Sequence, residues 1–264
     1  MQLADWHQRT TLGRTGIQLS RIGLGSSYGI GTDGVEEAYK DYGINFFYWG
    51  TMRKEGFGEG IRRLAHHHRE DLAVMIQSYS RFAGMMVSSF EKALSRLKLD
   101  YADIFLLGLH NSLPSNRIMD AALNLKMQGK AKSLGISCHR RKTFQTYIRE
   151  GKFDVLMFRY SAAHRGAEND IFPYLSVPAR PGTLAYTSTR WGQLVNPRKT
   201  PPGEKVPTAS DCYRFVLSHP EVDLCMAGPA DVTQMRQGLT AIDRGRMSPE
   251  ELAWMQRVGG YIHR

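Results

Sequence analysis

Val87-Ser88-Ser89-Phe90-Glu91-Lys92-Ala93-Leu94-Ser95-Arg96-Leu97, followed shortly by Ile104-Phe105-Leu106-Leu107-Gly108-Leu109-His110, is the stretch on which the fold turns. In its first part Val87, Phe90, Ala93, Leu94 and Leu97 recur at three and four residues, which gives a helix one apolar stripe and leaves polar residues on the other face. Its second part is a continuous apolar run with no alternation, as expected of a strand covered on both faces. A helix with one apolar stripe beside such a strand is the repeating unit of a parallel α/β sheet.

The unit recurs along the chain. Short apolar runs at 22–25, 44–47, 72–77, 104–109, 133–136, 155–159, 183–186 and 224–226 predict eight strands, spaced by about 25 to 35 residues. Between them the periodicity predicts helices at 34–41, 58–65, 117–128, 142–150, 169–175 and 209–218, with an extra C-terminal helix over 249–258. Capping chemistry marks several starts: Thr208 with Asp211, Asp231 with Gln234, and Ser248-Pro249-Glu250-Glu251. The stretch 196–207, rich in Pro, Lys and Gly, reads as the one long loop. Eight βα units in 264 residues predict a single-domain (β/α)8 barrel of the TIM type over residues 1–264. The rival, an open doubly wound sheet, would advertise GxGxxG after its first strand; Gly23, Gly25, Gly29 and Gly31 do not fit that pattern.

Composition narrows the setting. A chain that is 42% hydrophobic and 23% charged is an ordinary globular one. No run of eighteen apolar residues and no basic-then-apolar leader is present, so neither membrane spanning nor export is expected. Three cysteines without CxxC spacing suggest neither a disulfide framework nor zinc, and a reducing cytoplasmic location fits. The net charge of +10 is scattered and accompanied by no nucleic-acid motif, so solvated faces and a phosphate-bearing small molecule are the better reading. His66-His67-His68 could be taken for a metal site, but consecutive helix residues diverge, and no metal is expected.

In such a barrel the ligand lies at the C-terminal ends of the strands. Those ends carry Ser26-Ser27-Tyr28, Tyr48-Trp49-Gly50, Gln77-Ser78-Tyr79, His110-Asn111, Ser137-Cys138-His139, Arg159-Tyr160-Ser161, Tyr186-Thr187-Ser188 and Gly228-Pro229-Ala230. The rim is polar, aromatic and poor in carboxylates, which suits an aromatic or phosphorylated ligand better than metal-assisted hydrolysis.

Leu12-Gly13-Arg14-Thr15-Gly16, Arg21-Ile22-Gly23-Leu24-Gly25, Gly43-Ile44-Asn45-Phe46-Phe47, the segment from Leu97 to His110, Gly135-Ile136-Ser137, His164-Arg165-Gly166, Ala185-Tyr186-Thr187 and Leu217-Ser218-His219-Pro220 through Gly228 follow one another in an order that resembles the aldo/keto reductases. Each motif is short; their collinear order over nearly the whole chain carries the resemblance. It implies the barrel fold and carbonyl reduction by a nicotinamide cofactor. The family uses a tyrosine acid, a lysine paired to an aspartate, and a histidine that orients the carbonyl. The resemblance lays these roles on Arg53, Gln77, Tyr48 and His110, so only the histidine keeps its residue type.

Tyr48 is then either a substitute proton donor or a space-filling aromatic, and Arg53 either an anion clamp or a solvated loop charge. Gln77 can hydrogen-bond a ligand but brings no charge. For the cofactor the resemblance implies Ser26, Ser137, Cys138, Tyr186, Thr187, Ser188, Arg190, Gly228, Ala230 and Gln234, with Tyr186 stacking on the nicotinamide and Ser137 holding its carboxamide. Cys138 and Met157 stand where an asparagine and a glutamine are usual. Ala230 and Gly238 leave the 2′-phosphate side thin, with Arg236 the nearby charge. The expectation is an NADP(H)-dependent oxidoreductase, NAD(H) being the second candidate nucleotide, acting on a small-molecule carbonyl or quinone. The alternative is a catalytically silent barrel that binds a nicotinamide nucleotide or another phosphorylated ligand.

Overall fold

The computed structural model describes residues 5–50 and 52–263. A short antiparallel hairpin, β1 (Thr10–Thr11) and β2 (Gln18–Leu19), leads into eight parallel strands that close into a barrel. These are β3 (Ile22–Gly25), β4 (Phe46–Trp49), β5 (Ala73–Ser78), β6 (Ala102–Leu107), β7 (Ala131–Ser137), β8 (Val155–Arg159), β9 (Gly182–Tyr186) and β10 (Leu224–Ala227), with β10 pairing β3 to complete the ring. The expected TIM barrel is therefore the fold.

Helices fill the connections: α1 (Thr32–Tyr42), α2 (Glu55–His68), α3 (Ala83–Leu97), α4 (Asn116–Met127), α5 (Thr143–Glu150), α6 (Ala167–Asp170), α7 (Ala209–Leu217), α8 (Val232–Leu239), α9 (Ala241–Arg244) and α10 (Pro249–His263). The capping residues act as their types dictate. Thr208 and Asp211 form a reciprocal capping box on α7, Asp231 accepts from the Gln234 N–H, and Ser248 accepts from the Glu251 N–H. The helix expected over 169–175 is broken into α6 and a separate turn, Phe172–Tyr174, because Pro173 has no N–H to continue the ladder. The expected first half of the 44–47 strand is an entry segment: Gly43 ends α1 in the left-handed region, and β4 begins only at Phe46. Among the described residues no helix is long and apolar enough to cross a membrane.

The core has two compartments. Inside the barrel, Phe46, Met75, Ile104, Leu106, Val155, Leu184 and Leu224 pack together, and Leu12 and Leu19 of the hairpin segment join them from the N-terminal end. The alternate strand residues, such as Phe47, Val74, Phe105 and Phe158, face the helices. Gly13 lets the hairpin close against the barrel: its φ is +45°, and a β-carbon there would stand 2.3 Å from the Gly182 nitrogen. Three aspartates at strand beginnings, Asp103 and Asp223 buried and Asp154 half-buried, stitch neighbours together. Asp103 accepts from the Val74 N–H at 2.8 Å, Asp154 from Leu134 at 2.9 Å and Asp223 from Thr183 at 2.9 Å. Arg69, Lys126 and Arg180 pair with them in turn, so these acids serve the end of the barrel opposite the ligand face.

Candidate active site

The two-residue strand period decides what reaches the mouth. On six of the eight strands the inward row ends in one side chain at the C-terminal end: Tyr48 on β4, Gln77 on β5, Ser137 on β7, Arg159 on β8, Tyr186 on β9 and Met226 on β10. All six line one cavity of 1320 Å³, whose wall continues through Tyr28, Tyr79, His139 and Trp191 to Thr208, Gln234, Gln237 and Arg244.

On β6 the same row runs Ile104, Leu106, then Gly108. A β-carbon on Gly108 would lie 2.1 Å from Gln77 Nε2 and 2.7 Å from the Tyr79 ring. The histidine nominated from the sequence lies past a turn in which Leu109 takes φ 55°. His110 faces Arg81, with 3.2 Å between Nε2 and Nη1, and its carbonyl accepts from the Tyr147 hydroxyl at 2.6 Å. It is buried and does not line the cavity. Burial, and then the Arg81 charge, lower its pKa to about 4, so at neutral pH the ring is uncharged and accepts from Arg81. In this arrangement His110 makes a buried bracing contact beneath the rim, against Arg81 and Tyr147.

Arg53 is likewise turned away from the cavity. Its guanidinium donates to the Gln77 carbonyl at 2.7 Å and the Ser89 carbonyl at 3.1 Å, and lies 5.7 Å from the Trp49 ring centroid. It straps the loop after β4 to β5 and α3 and contributes nothing to the cavity wall. Burial, followed by the Arg96 charge, lowers its pKa. Backbone carbonyls are sufficient partners for a guanidinium that has lost water, which is why this arginine can turn inward without a carboxylate.

Of the residues nominated for a cofactor, Ser137, Tyr186, Thr187, Ser188, Gly228 and Gln234 line the cavity, whereas Ser26, Cys138, Arg190 and Ala230 do not. Ser26 donates to the Met52 carbonyl at 2.6 Å, the Cys138 thiol is directed to Asn111 and the Arg140 carbonyl, and Arg190 binds the Ile262 carbonyl on α10. Ala230 offers its N–H to Gln234 Oε1 at 3.1 Å. Arg236 is paired with Glu37 at 2.7 Å on the surface; Arg244 is the cation at that end of the cavity, and it pairs with Asp211 at 2.8 Å. Thr187, Arg190 and Trp191 all have positive φ, so the segment after β9 holds a conformation that side chains resist, as ligand-contacting loops often do.

Arg159 stands at the rim in the sequence without an expected role. Its Nη2 lies 3.1 Å from His139 Nε2 and its guanidinium carbon 5.1 Å from the Trp191 ring centroid. The signal was present, because Val155, Met157 and Arg159 are one inward row. Among the described residues no aspartate or glutamate lines the cavity. Nor does any group of three His, Cys, Asp or Glu side chains there form a metal-binding cluster.

No protein-family model matches the chain. Relatives nevertheless align along most of its length. An uncharacterized oxidoreductase, YqkF of Bacillus subtilis, is 23% identical, covering 94% of this chain and 95% of the relative. L-galactose dehydrogenase of Arabidopsis thaliana is 26% identical, over 88% and 86% respectively. Among solved structures, an aldo/keto reductase from Klebsiella pneumoniae in complex with NADP and acetate superposes with a TM-score of 0.78 at 22% identity, covering 96% of each chain. The chain therefore carries the aldo/keto reductase barrel fold, and its resemblance to that family extends over nearly its whole length.

Proposed function

We propose that the chain is an NADP(H)-dependent oxidoreductase of the aldo/keto reductase type, which reduces a carbonyl or quinone using Tyr48 as a non-standard proton donor. The observation that carries this reading is the single cavity that runs from the strand-end row Tyr48, Gln77, Ser137 and Tyr186 to Gln234 and Arg244. Its volume exceeds what most small ligands need and suits a dinucleotide with a substrate beside it. The oxidoreductase names of the two relatives and the NADP of the Klebsiella structure support the same reading.

The residues present fit the nucleotide unequally. At the nicotinamide end Tyr186 offers an aromatic surface, and Ser137 and Gln77 offer polar groups for a carboxamide or carbonyl oxygen. At the other end Arg244, Thr208 and Gln237 face the cavity, while the Thr187 hydroxyl already donates to the Tyr186 carbonyl at 2.6 Å. The phosphate end is thus poorer in charge than the nicotinamide end is in aromatic surface. NAD(H) remains the second candidate on that account.

When bound, the nicotinamide supplies a hydride to the carbonyl carbon. The chain must then deliver a proton to the carbonyl oxygen and hold that oxygen in place. Tyr48 brings a buried phenol to the end of the inward row on β4, and Arg53 lies within electrostatic reach of it, positioned to stabilise the charge left on the phenol oxygen. Arg53 so acts as a positioning residue through Tyr48, away from the substrate itself. Gln77 can donate a hydrogen bond to the carbonyl oxygen through its amide.

The test is a titration with NADPH followed by tryptophan fluorescence, then turnover with aldehydes and quinones. Saturable quenching is expected. Tyr186→Ala should weaken NADPH by about 1 kcal/mol or more, roughly fivefold, because it removes the aromatic contact. Wild-type protein that shows no saturable response at millimolar NADPH would refute the reading. Binding without turnover of any carbonyl would favour the silent nucleotide-binding barrel, which the absence of a charged group at position 77 makes the second reading.

A further inference from the structure

We propose that Arg159 is the substrate anchor of this site, and that the preferred substrate is a carbonyl compound with a carboxylate at the end remote from the reacting carbonyl. This rests on the reductase reading and names its substrate class.

Three observations carry it. Arg159 is a cation on the cavity wall that, among the described residues, forms no ion pair, whereas Arg244 at the far end is paired with Asp211. Its Nε is buried without a hydrogen-bond partner of its own, on the side where the guanidinium meets the Tyr186 hydroxyl and offsets part of the rise that burial gives that phenol's pKa, so the open donors of the fork are those at the Nη end. The guanidinium is also held ready: Trp191 lies against it and His139 meets one end of its fork. Burial, and then Arg159 itself, lower the His139 pKa, so at neutral pH this histidine accepts from Arg159 and adds no charge. A carboxylate fits such a fork because two parallel N–H donors match its two oxygens.

Placement sets the remote geometry. Arg159 pairs in register with Tyr186 of β9, so an anion held there lies beside the nicotinamide end. Around the ring β8 is separated from β4 by three strands on either side, and the proton donor Tyr48 is therefore diametrically across the mouth. A substrate that reaches both must carry its carboxylate and carbonyl at opposite ends, unlike a 2-oxo acid.

The probes are 4-carboxybenzaldehyde and its neutral isostere 4-formylbenzamide, titrated calorimetrically into the full chain. The acid is expected to bind about tenfold or more tightly, as charge-assisted hydrogen bonds imply. Arg159→Met should bring the ratio of the two affinities close to one, and Arg159→Lys, which keeps the charge without the fork, should leave an intermediate ratio. Equal affinity in the wild type overturns the proposal, and that comparison needs no variant to fold. An acid preference that survives Arg159→Met overturns it as well. NADPH titration of the same variant separates the sources of an anion: a parallel loss of NADPH affinity would give the guanidinium to the nucleotide and overturn the substrate assignment. A wild type that prefers the acid but binds no nucleotide would sustain the anion anchor while sinking the reductase reading.

Discussion

Tyr48→Phe should lower kcat for carbonyl reduction by roughly 100- to 10,000-fold, the range lost when a positioned proton donor is removed, and leave NADPH affinity within about twofold. The substitution deletes one oxygen from a buried ring and keeps the ring itself. Because Tyr48 ends the inward row of β4, no other side chain of that strand replaces it at the mouth. Arg53→Met should produce a smaller loss in kcat together with an altered pH profile, since its guanidinium acts on the phenol electrostatically and touches neither ligand. Steady-state kinetics and fluorescence titration on the same preparations check both halves. If Tyr48→Phe retains full kcat, the proton comes from elsewhere. Tyr79, exposed at the end of β5 on the cavity wall, is then the donor to replace next.

Acid should unfold this protein earlier than its carboxylates alone would require. His110 and His164 both have pKa values lowered to about 4 from an ordinary 6.5, chiefly by burial and then by nearby arginines. Between those two values the unfolded chain binds protons that the folded chain refuses. Stability is therefore full above pH 6.5 and falls as the pH drops toward 4. A shift of that size sets a ceiling of about 3 kcal/mol for a fully buried histidine. His110 approaches burial most closely, while His164 is partly open to solvent and contributes less. Below pH 4.5 a third loss begins, because hydrogen bonding to Arg214 holds the Glu251 carboxylate down at about 2. Urea midpoints measured from pH 7.5 to 4 should fall steadily below 6.5. His110→Gln, which keeps an acceptor for Arg81 without a titratable ring, should flatten that slope. A midpoint constant between pH 7 and 4.5 would show that these rings are hydrated in the folded state.

The barrel was legible in the sequence because its signal is periodic. Eight apolar runs alternate with helical stripes, and each repeat confirms the others. What escaped was local and aperiodic. The hairpin β1–β2 is two residues per strand, too short for any alternation, and the break at Pro173 depends on one residue overriding a stripe. The site followed the same division. Positions on strands were readable by counting in twos, and Tyr48, Gln77, Ser137 and Tyr186 reach the mouth where the count puts them. Arg53 and His110 lie beyond strand ends, where a turn such as Leu109 resets the direction of every following side chain. The same counting would have brought Arg159 forward and put Gly108, instead of His110, at the end of β6.

The interlock at Gly108 also orders the routes by which this mouth can change. The Gln77 amide and the Tyr79 ring occupy the space that a β-carbon at 108 would enter. A single substitution there meets both, so the Gln77 amide and the Tyr79 ring must each shift to admit it, at a cost in stability. Replacing Gln77 with a shorter residue first removes the nearer obstacle, and only then do side chains at 108 become accessible. The two positions are thus expected to be epistatic, with 77 changing before 108, and libraries that vary 77, 79 and 108 together should recover combinations that a library at 108 alone misses.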